Sequence, residues 1–104
     1  MLIGLIMFGA TELEMEILRL LMKGNRLYGL EMVKESDRLK RGTIYVYLGR
    51  MEEKEWVKSE AEKEASMPGL PRRRYWITGK GQQVFERASD LRKQYMTLSE
   101  GYAV

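Results

Sequence analysis

Between Lys40 and Trp56 the chain reads KRGTIYVYLGRMEEKEW, and its apolar positions recur with the period of a helix. Ile44, Leu48 and Met51 fall within one arc, while Thr43, Val46, Arg50 and Glu53 fall opposite. The same period in Leu13, Ile17, Leu20 and Leu21 predicts an earlier helix over Thr11 to Lys23. Thr11 and Glu14 have the spacing of a capping box, and Gly24 offers a left-handed stop. A shorter helix over Tyr28 to Ser36, with Leu27, Leu30, Met32 and Val33 turned inward, reaches the central one through Asp37 to Leu39.

After Trp56 the period changes to two. Val57, Ser59 and Ala61 alternate with Lys58, Glu60 and Glu62, the pattern of a half-exposed strand. Glu64 to Pro71 holds Gly69 between two prolines and reads as a loop. The segment RRRYWIT from Arg72 to Thr78 resumes as a strand, with Arg72, Arg74, Trp76 and Thr78 on one face and Arg73, Tyr75 and Ile77 on the other. Thr78 can cap a last helix, along which Val84, Ala88, Leu91, Tyr95 and Leu98 recur at spacings of four and three, a heptad seam. The expected fold is mainly α with a small two-stranded antiparallel wing: a winged helix-turn-helix plus a C-terminal dimerisation helix. Its parts are an apolar extension over 1–10, the winged domain over 11–80 and a dimerisation helix with tail over 81–104. A plain three-helix bundle, and a final helix folded back on its own domain, stay open beside it.

Composition narrows the chemistry. With 104 residues, 44% of them hydrophobic, the chain suits a single core. It contains no cysteine and no histidine, which removes disulfides, thiolate and imidazole metal ligands and the usual nucleophile and base pairs. No cofactor is expected and no enzyme; a nuclease built on Glu52, Glu53 and Glu55 is a distant alternative, because a solvated helix end explains those carboxylates. The lack of cysteine fits a reducing cytoplasm. MLIGLIMFGA is too short for a membrane span, which takes roughly 20 residues, and it lacks the basic flank of a secretory signal. No membrane partner is expected, and Leu2, Ile3, Leu5, Ile6 and Phe8 would pack on the domain or on a second subunit.

Net charge is only +3, but it is unevenly placed. Between Lys40 and Lys80 lie ten basic residues against six glutamates, so the positive excess sits around the central helix and the ribbon. On the helix's outer face Thr43 and Val46 can meet a thymine methyl and Arg50 can fork onto a guanine edge. Lys40, Arg41, Tyr45 and Tyr47 can reach phosphate oxygens. Arg72, Arg73 and Arg74 suit phosphates or a minor groove, or pair with Glu60, Glu62 and Glu64 on the facing strand. Two readings of the face remain: contact with double-stranded DNA, or a protein-interaction module in which Tyr45, Tyr47 and the apolar leader bind a protein.

The segments TELEMEILRLLMKG, LYGLEMVKES, RGTIYVYLGRMEEKEWV and PRRRYWITGKG resemble the PadR family of bacterial transcriptional regulators, over Thr11 to about Leu98. GTIY followed by LGRMEEK and then an arginine-rich strand ending Tyr-x-Ile-Thr would rarely coincide elsewhere. The resemblance implies a homodimer that binds a palindromic operator and usually represses. It implies that Lys40 to Lys54 is the recognition helix, that Tyr45 is a typical phosphate contact, and that the last helix forms the dimer interface, for which the heptad seam itself offers Val84, Ala88, Leu91, Tyr95 and Leu98, with Leu2 and Leu5 as further apolar surface. Some members respond to small aromatic effectors near that interface; no residue here is assigned to one. One departure is Glu55, where the family usually has Gly, so the recognition helix is expected to end one turn differently.

Overall fold

The computed structural model describes residues 11–62 and 72–102, with side chains as far as Tyr95. The apolar extension, the 63–71 loop and the side chain of Leu98 lie outside the described residues. Helix α1 spans Glu12–Leu21, strand β1 Leu27–Tyr28, helix α2 Gly29–Glu35 and helix α3 Ile44–Glu53. Strands β2 (Val57–Ala61) and β3 (Arg73–Ile77) follow, and helix α4 runs over Gly79–Tyr102. None of the helices is long and apolar enough to cross a membrane, among the described residues.

Helix α1 starts with a full capping box. The Glu14 amide donates to Thr11 Oγ1 and the Thr11 amide to Glu14 Oε1, both at 3.2 Å. Its apolar stripe supplies Ile17, Leu18, Leu20 and Leu21 to a core completed by Met32, Leu39, Ile44, Leu48, Met51, Trp56, Val57, Tyr75 and Ile77. Two carboxylates enter this packing, and each has partners, as burial of charge requires. Glu14 takes Lys54 Nζ at 3.1 Å, joining α1 to the end of α3. Glu16 accepts from Arg19 at 2.5 Å and from the Ser36 hydroxyl at 2.6 Å, joining α1 to the end of α2.

Strands β2 and β3 pair antiparallel from Val57↔Ile77 to Ala61↔Arg73, as the alternation predicts. The sheet nevertheless has three strands, in the order β1-β3-β2. Leu27↔Tyr75 and Tyr28↔Arg74 add β1, a two-residue strand too short for any period to announce. Tyr28 is therefore extended and caps α2 instead of starting it, its amide donating to Glu31 Oε1 at 2.8 Å. Leu30, expected inside, is 37% exposed, because the later start turns it to the surface. Lys40 to Thr43 form a turn ahead of α3, so the recognition helix is shorter than the Lys40 to Lys54 expected.

Glu55 does not displace the end of α3. It adopts the left-handed conformation itself, at φ 64°, and closes the helix as a glycine would. The Glu55 amide donates to the Glu52 carbonyl and the Trp56 amide to the Met51 carbonyl, both at 2.9 Å, which is the Schellman pattern. The start of α4 rests on this turn. The Thr78 amide donates to the Trp56 carbonyl at 3.0 Å, while Thr78 Oγ1 donates to the Glu55 carbonyl at 2.6 Å and accepts from the Gly81 amide at 3.0 Å. A Cβ at Gly81 would lie 2.2 Å from the Trp56 carbonyl oxygen, so only glycine lets the two backbones approach.

Helix α4 then packs its first half on its own domain. Ala88 is buried, and Val84 and Phe85 lie against the core. Arg92 extends the contact to Glu12 on α1 at 3.7 Å. The heptad seam is thus divided: Ala88 is buried and Val84 packs against the core of this chain, whereas Tyr95 is 52% exposed.

Two substitutions separate strain from close approach. Glu55→Gly relieves a left-handed side chain and should raise the free energy of unfolding by about 0.5–1 kcal/mol; Gly81→Ala should lower it by about 1–3 kcal/mol. Urea titration of both variants checks this, and a loss in Glu55→Gly would contradict the strain. Hydrogen bonds from Arg19, then from Ser36, hold the Glu16 carboxyl below its ordinary 4.5. Its contribution to stability is complete above that value and is lost as pH falls through the lower folded value. Melting curves from pH 6 to 3 should show a shallower acid decline for Glu16→Gln than for the native chain.

Candidate nucleic-acid interface

Helix α3 is amphipathic in the sense read from its sequence. Ile44, Leu48 and Met51 are wholly buried, while Thr43, Val46, Gly49 and Arg50 are exposed on the other side. Ten residues of helix are about 15 Å long, enough to lie along a major groove about 12 Å wide. Lys40 and Arg41, exposed in the turn before α3, sit at its N-terminal end.

Among the described residues, charge pairing engages some arginines and leaves others, on this face and away from it, without a carboxylate. Arg19, Arg26, Arg38, Arg74 and Arg92 each meet a carboxylate within 4 Å. Lys40, Arg41 and Arg50 make no ion pair among the described residues. Of the acidic residues on α3, Glu52 is engaged with the sheet: it accepts from Ser59 Oγ at 2.8 Å, and Ser59 Oγ accepts from Arg73 Nη1 at 3.1 Å.

The two tyrosines of α3 part company. Tyr45 is 52% exposed and lays the tip of its ring on Gly29, at the start of α2. Tyr47 is half-buried and packs its ring against the core. The split follows from position: Tyr45 shares the exposed side with Val46, while Tyr47 leans toward the Leu48 side.

The three consecutive arginines also divide. Arg73 bonds Ser59 on the face that continues toward α3. Arg74 points to the outer face of the sheet, where its guanidinium lies 4.2 Å from the Tyr28 ring centre, pairs with Glu62 at 3.4 Å and donates to the Arg26 carbonyl at 3.4 Å. Arg72 lies over the same ring at 5.7 Å. Pairing of Arg74 with Glu62 realises the cross-strand alternative left open by the sequence, and Arg26 takes Glu60 at 3.7 Å. Of the three, Arg72 is the most available to an outside anion, and Arg74 the least.

This outer face contains residues that pattern reading passed over. Arg26 stacks on Trp76 at 4.2 Å, and the Tyr28 hydroxyl donates to Glu62. That bond pushes the Tyr28 phenol up and, with Arg74, holds the Glu62 carboxyl down. On the opposite face, burial pushes the Tyr75 phenol up. The signal for the cluster was the aromatic and arginine alternation in Arg72 to Trp76; its partners Tyr28, from β1, and Arg26, just before it, had no signal.

Comparison with known proteins agrees with this architecture. The family model described as the transcriptional regulator PadR-like family matches residues 17–87. A PadR family transcription regulator from Clostridium difficile R20291 is similar over 90% of this chain and 100% of its own, at 28% identity and a TM-score of 0.74. A PadR-like transcriptional regulator from Bacillus cereus ATCC 14579 is similar at 25% identity and a TM-score of 0.68, over 88% of this chain and 90% of its own. A PadR family transcriptional regulator from Eggerthella lenta DSM 2243 covers 88% of this chain and 78% of its own, at 25% identity and a TM-score of 0.65. No curated protein sequence matches. With a winged-helix architecture and a family match over residues 17–87, the chain belongs to the PadR-like family of transcriptional regulators, which are DNA-binding proteins rather than enzymes.

Proposed function

We propose that the protein is a cytoplasmic repressor that binds a palindromic operator as a homodimer. The observation that carries this reading is the exposed face of α3, where Thr43, Val46 and Arg50 follow an exposed turn holding Lys40 and Arg41, and these three cations have no carboxylate partner among the described residues. Residues 11–80 form the DNA-binding unit. Thr43, Val46 and Arg50 contact base edges; Lys40, Arg41, Tyr45 and the wing arginines, Arg72 foremost, contact phosphates. Two such helices enter successive major grooves roughly 34 Å apart.

Residues 81–104 supply the dimer contact. Since Val84 and Ala88 are already covered, Leu91, Tyr95 and Leu98 carry it, with Leu2 and Leu5 adding apolar surface. A small aromatic compound seated between subunits would act by changing the separation of the reading helices, although no residue is assigned to it.

The experiment is a salt series of binding to the DNA upstream of the protein's own gene and to random duplex of equal length. Selective binding that weakens steeply with salt is expected, because neutralised phosphates release counterions. Arg50→Ala should cost about 1–3 kcal/mol on the selected sequence and relax preference at one base pair per half-site. Lys40→Ala should weaken all duplexes alike and reduce the salt slope by about one. An Arg50→Ala loss of equal size on random DNA would remove the base-reading role. Indifference to all duplexes at low salt would instead favour a protein partner for the exposed Leu30, Tyr45 and Val46.

A further inference from the structure

Gly29 opens α2 with no side chain, and the space a side chain would take is occupied by Tyr45. A Cβ at Gly29 would lie 2.8 Å from Tyr45 Cε1, 3.1 Å from Cζ and 3.3 Å from the hydroxyl oxygen. The first distance is one that real Cβ atoms do not tolerate, so a residue larger than glycine must displace the ring. Gly29 itself is buried and has an ordinary helical backbone, so conformational freedom does not account for glycine at this place. Alanine would in fact suit the helix better. What glycine provides is room for the phenol.

The consequence for Tyr45 is a ring whose tip lies against the start of α2. The ring is half out in water, at 52% exposure, in the first turn of α3, beside Val46 and close to the unpaired Lys40 and Arg41. A surface tyrosine ordinarily samples several rotamers and loses that freedom on binding. Here the ring rests against the α2 backbone, and Gly29 follows directly on Tyr28, the residue that joins β1 to the α2 cap. The same two residues therefore connect the sheet, the first helix of the helix-turn-helix and the reading helix.

We infer that Gly29 is a positioning residue for DNA binding: its missing side chain seats the Tyr45 ring and aims the hydroxyl at a phosphate of the bound duplex. The inference rests on the DNA-binding reading of α3. Gly29 touches no nucleotide; it acts through Tyr45. The hydroxyl donates to a phosphate oxygen, a bond between a neutral donor and a charged acceptor.

The test is a double-mutant cycle on the full chain with Gly29→Ala, Tyr45→Phe and the two combined, binding a fluorescent random duplex of about 25 base pairs, a length that spans two successive half-sites. Tyr45→Phe keeps the ring and removes the donor, and should weaken binding about tenfold. Gly29→Ala should weaken it by a similar factor, and the double variant should be no weaker than Tyr45→Phe alone. Losses that multiply, or a Gly29→Ala protein that binds as the native one does, would overturn the inference. Thermal unfolding guards against a trivial outcome. Gly29→Ala should lower the melting temperature in the native chain but not in a Tyr45→Ala background, where the space is free; an equal fall in both would place the role of Gly29 in α2 alone. Failure of the native protein to bind any duplex would remove the DNA-binding reading and this inference with it, whereas native binding with an unaffected Gly29→Ala would remove only the inference.

Discussion

The carbonyl of Trp56 is the point on which the arrangement of the molecule depends. It lies directly after the left-handed turn that stops α3, it opens β2, and it receives the Thr78 amide at the end of β3. Gly81 lets α4 descend onto it at a separation that excludes any side chain. Reading helix, wing and last helix therefore share one backbone junction of a few residues. Shifting any of the three requires breaking hydrogen bonds at a buried site, where an unsatisfied carbonyl is expensive.

Around that junction, polar bonds take the place of a large core. Lys54 at the end of α3 reaches Glu14 at the start of α1, and Ser36 at the end of α2 reaches Glu16 one turn along. Both pairs are directional, so they fix rotation of the helices where apolar packing alone tolerates sliding. Lys54 also lies over the Trp56 ring at 4.5 Å, returning the network to the same point. The reading helix is thereby held at its far end by α1 and at its near end by the contact of Tyr45 with α2.

Much of this was legible in the sequence wherever a period ran long enough. The stripe of Ile44, Leu48 and Met51, the alternation through Val57 to Glu62, and the Thr11 and Glu14 cap each state a physical preference over several residues, and the structure keeps them. Legibility failed where a role depended on something distant. Leu27 and Tyr28 become a strand only because β3 arrives beside them. Glu55 was expected to shift a helix end; the downstream bonds from Thr78 and Trp56 instead impose the turn on it. Val84 and Ala88 lie on a genuine seam, yet a seam does not say whether its partner belongs to the same chain. The arginine triplet likewise shows its charge but not its division of labour, since Glu62 and Tyr28 are remote in sequence from Arg74.

The position of β1 in the sheet has a consequence for how the chain comes into being. Its partner strand β3 lies nearly half the chain downstream, so helices α1, α2 and α3 leave the ribosome before the strand that seals them. At a synthesis rate of roughly 20 residues per second, that interval lasts a few seconds. Throughout it the inner side of Leu27 and the groove that Tyr75 and Ile77 later fill stay open to water. Helical contacts are local and form early, whereas closing the sheet must overcome the entropy of a long loop. The helices thus meet one another before the sheet that covers them is closed.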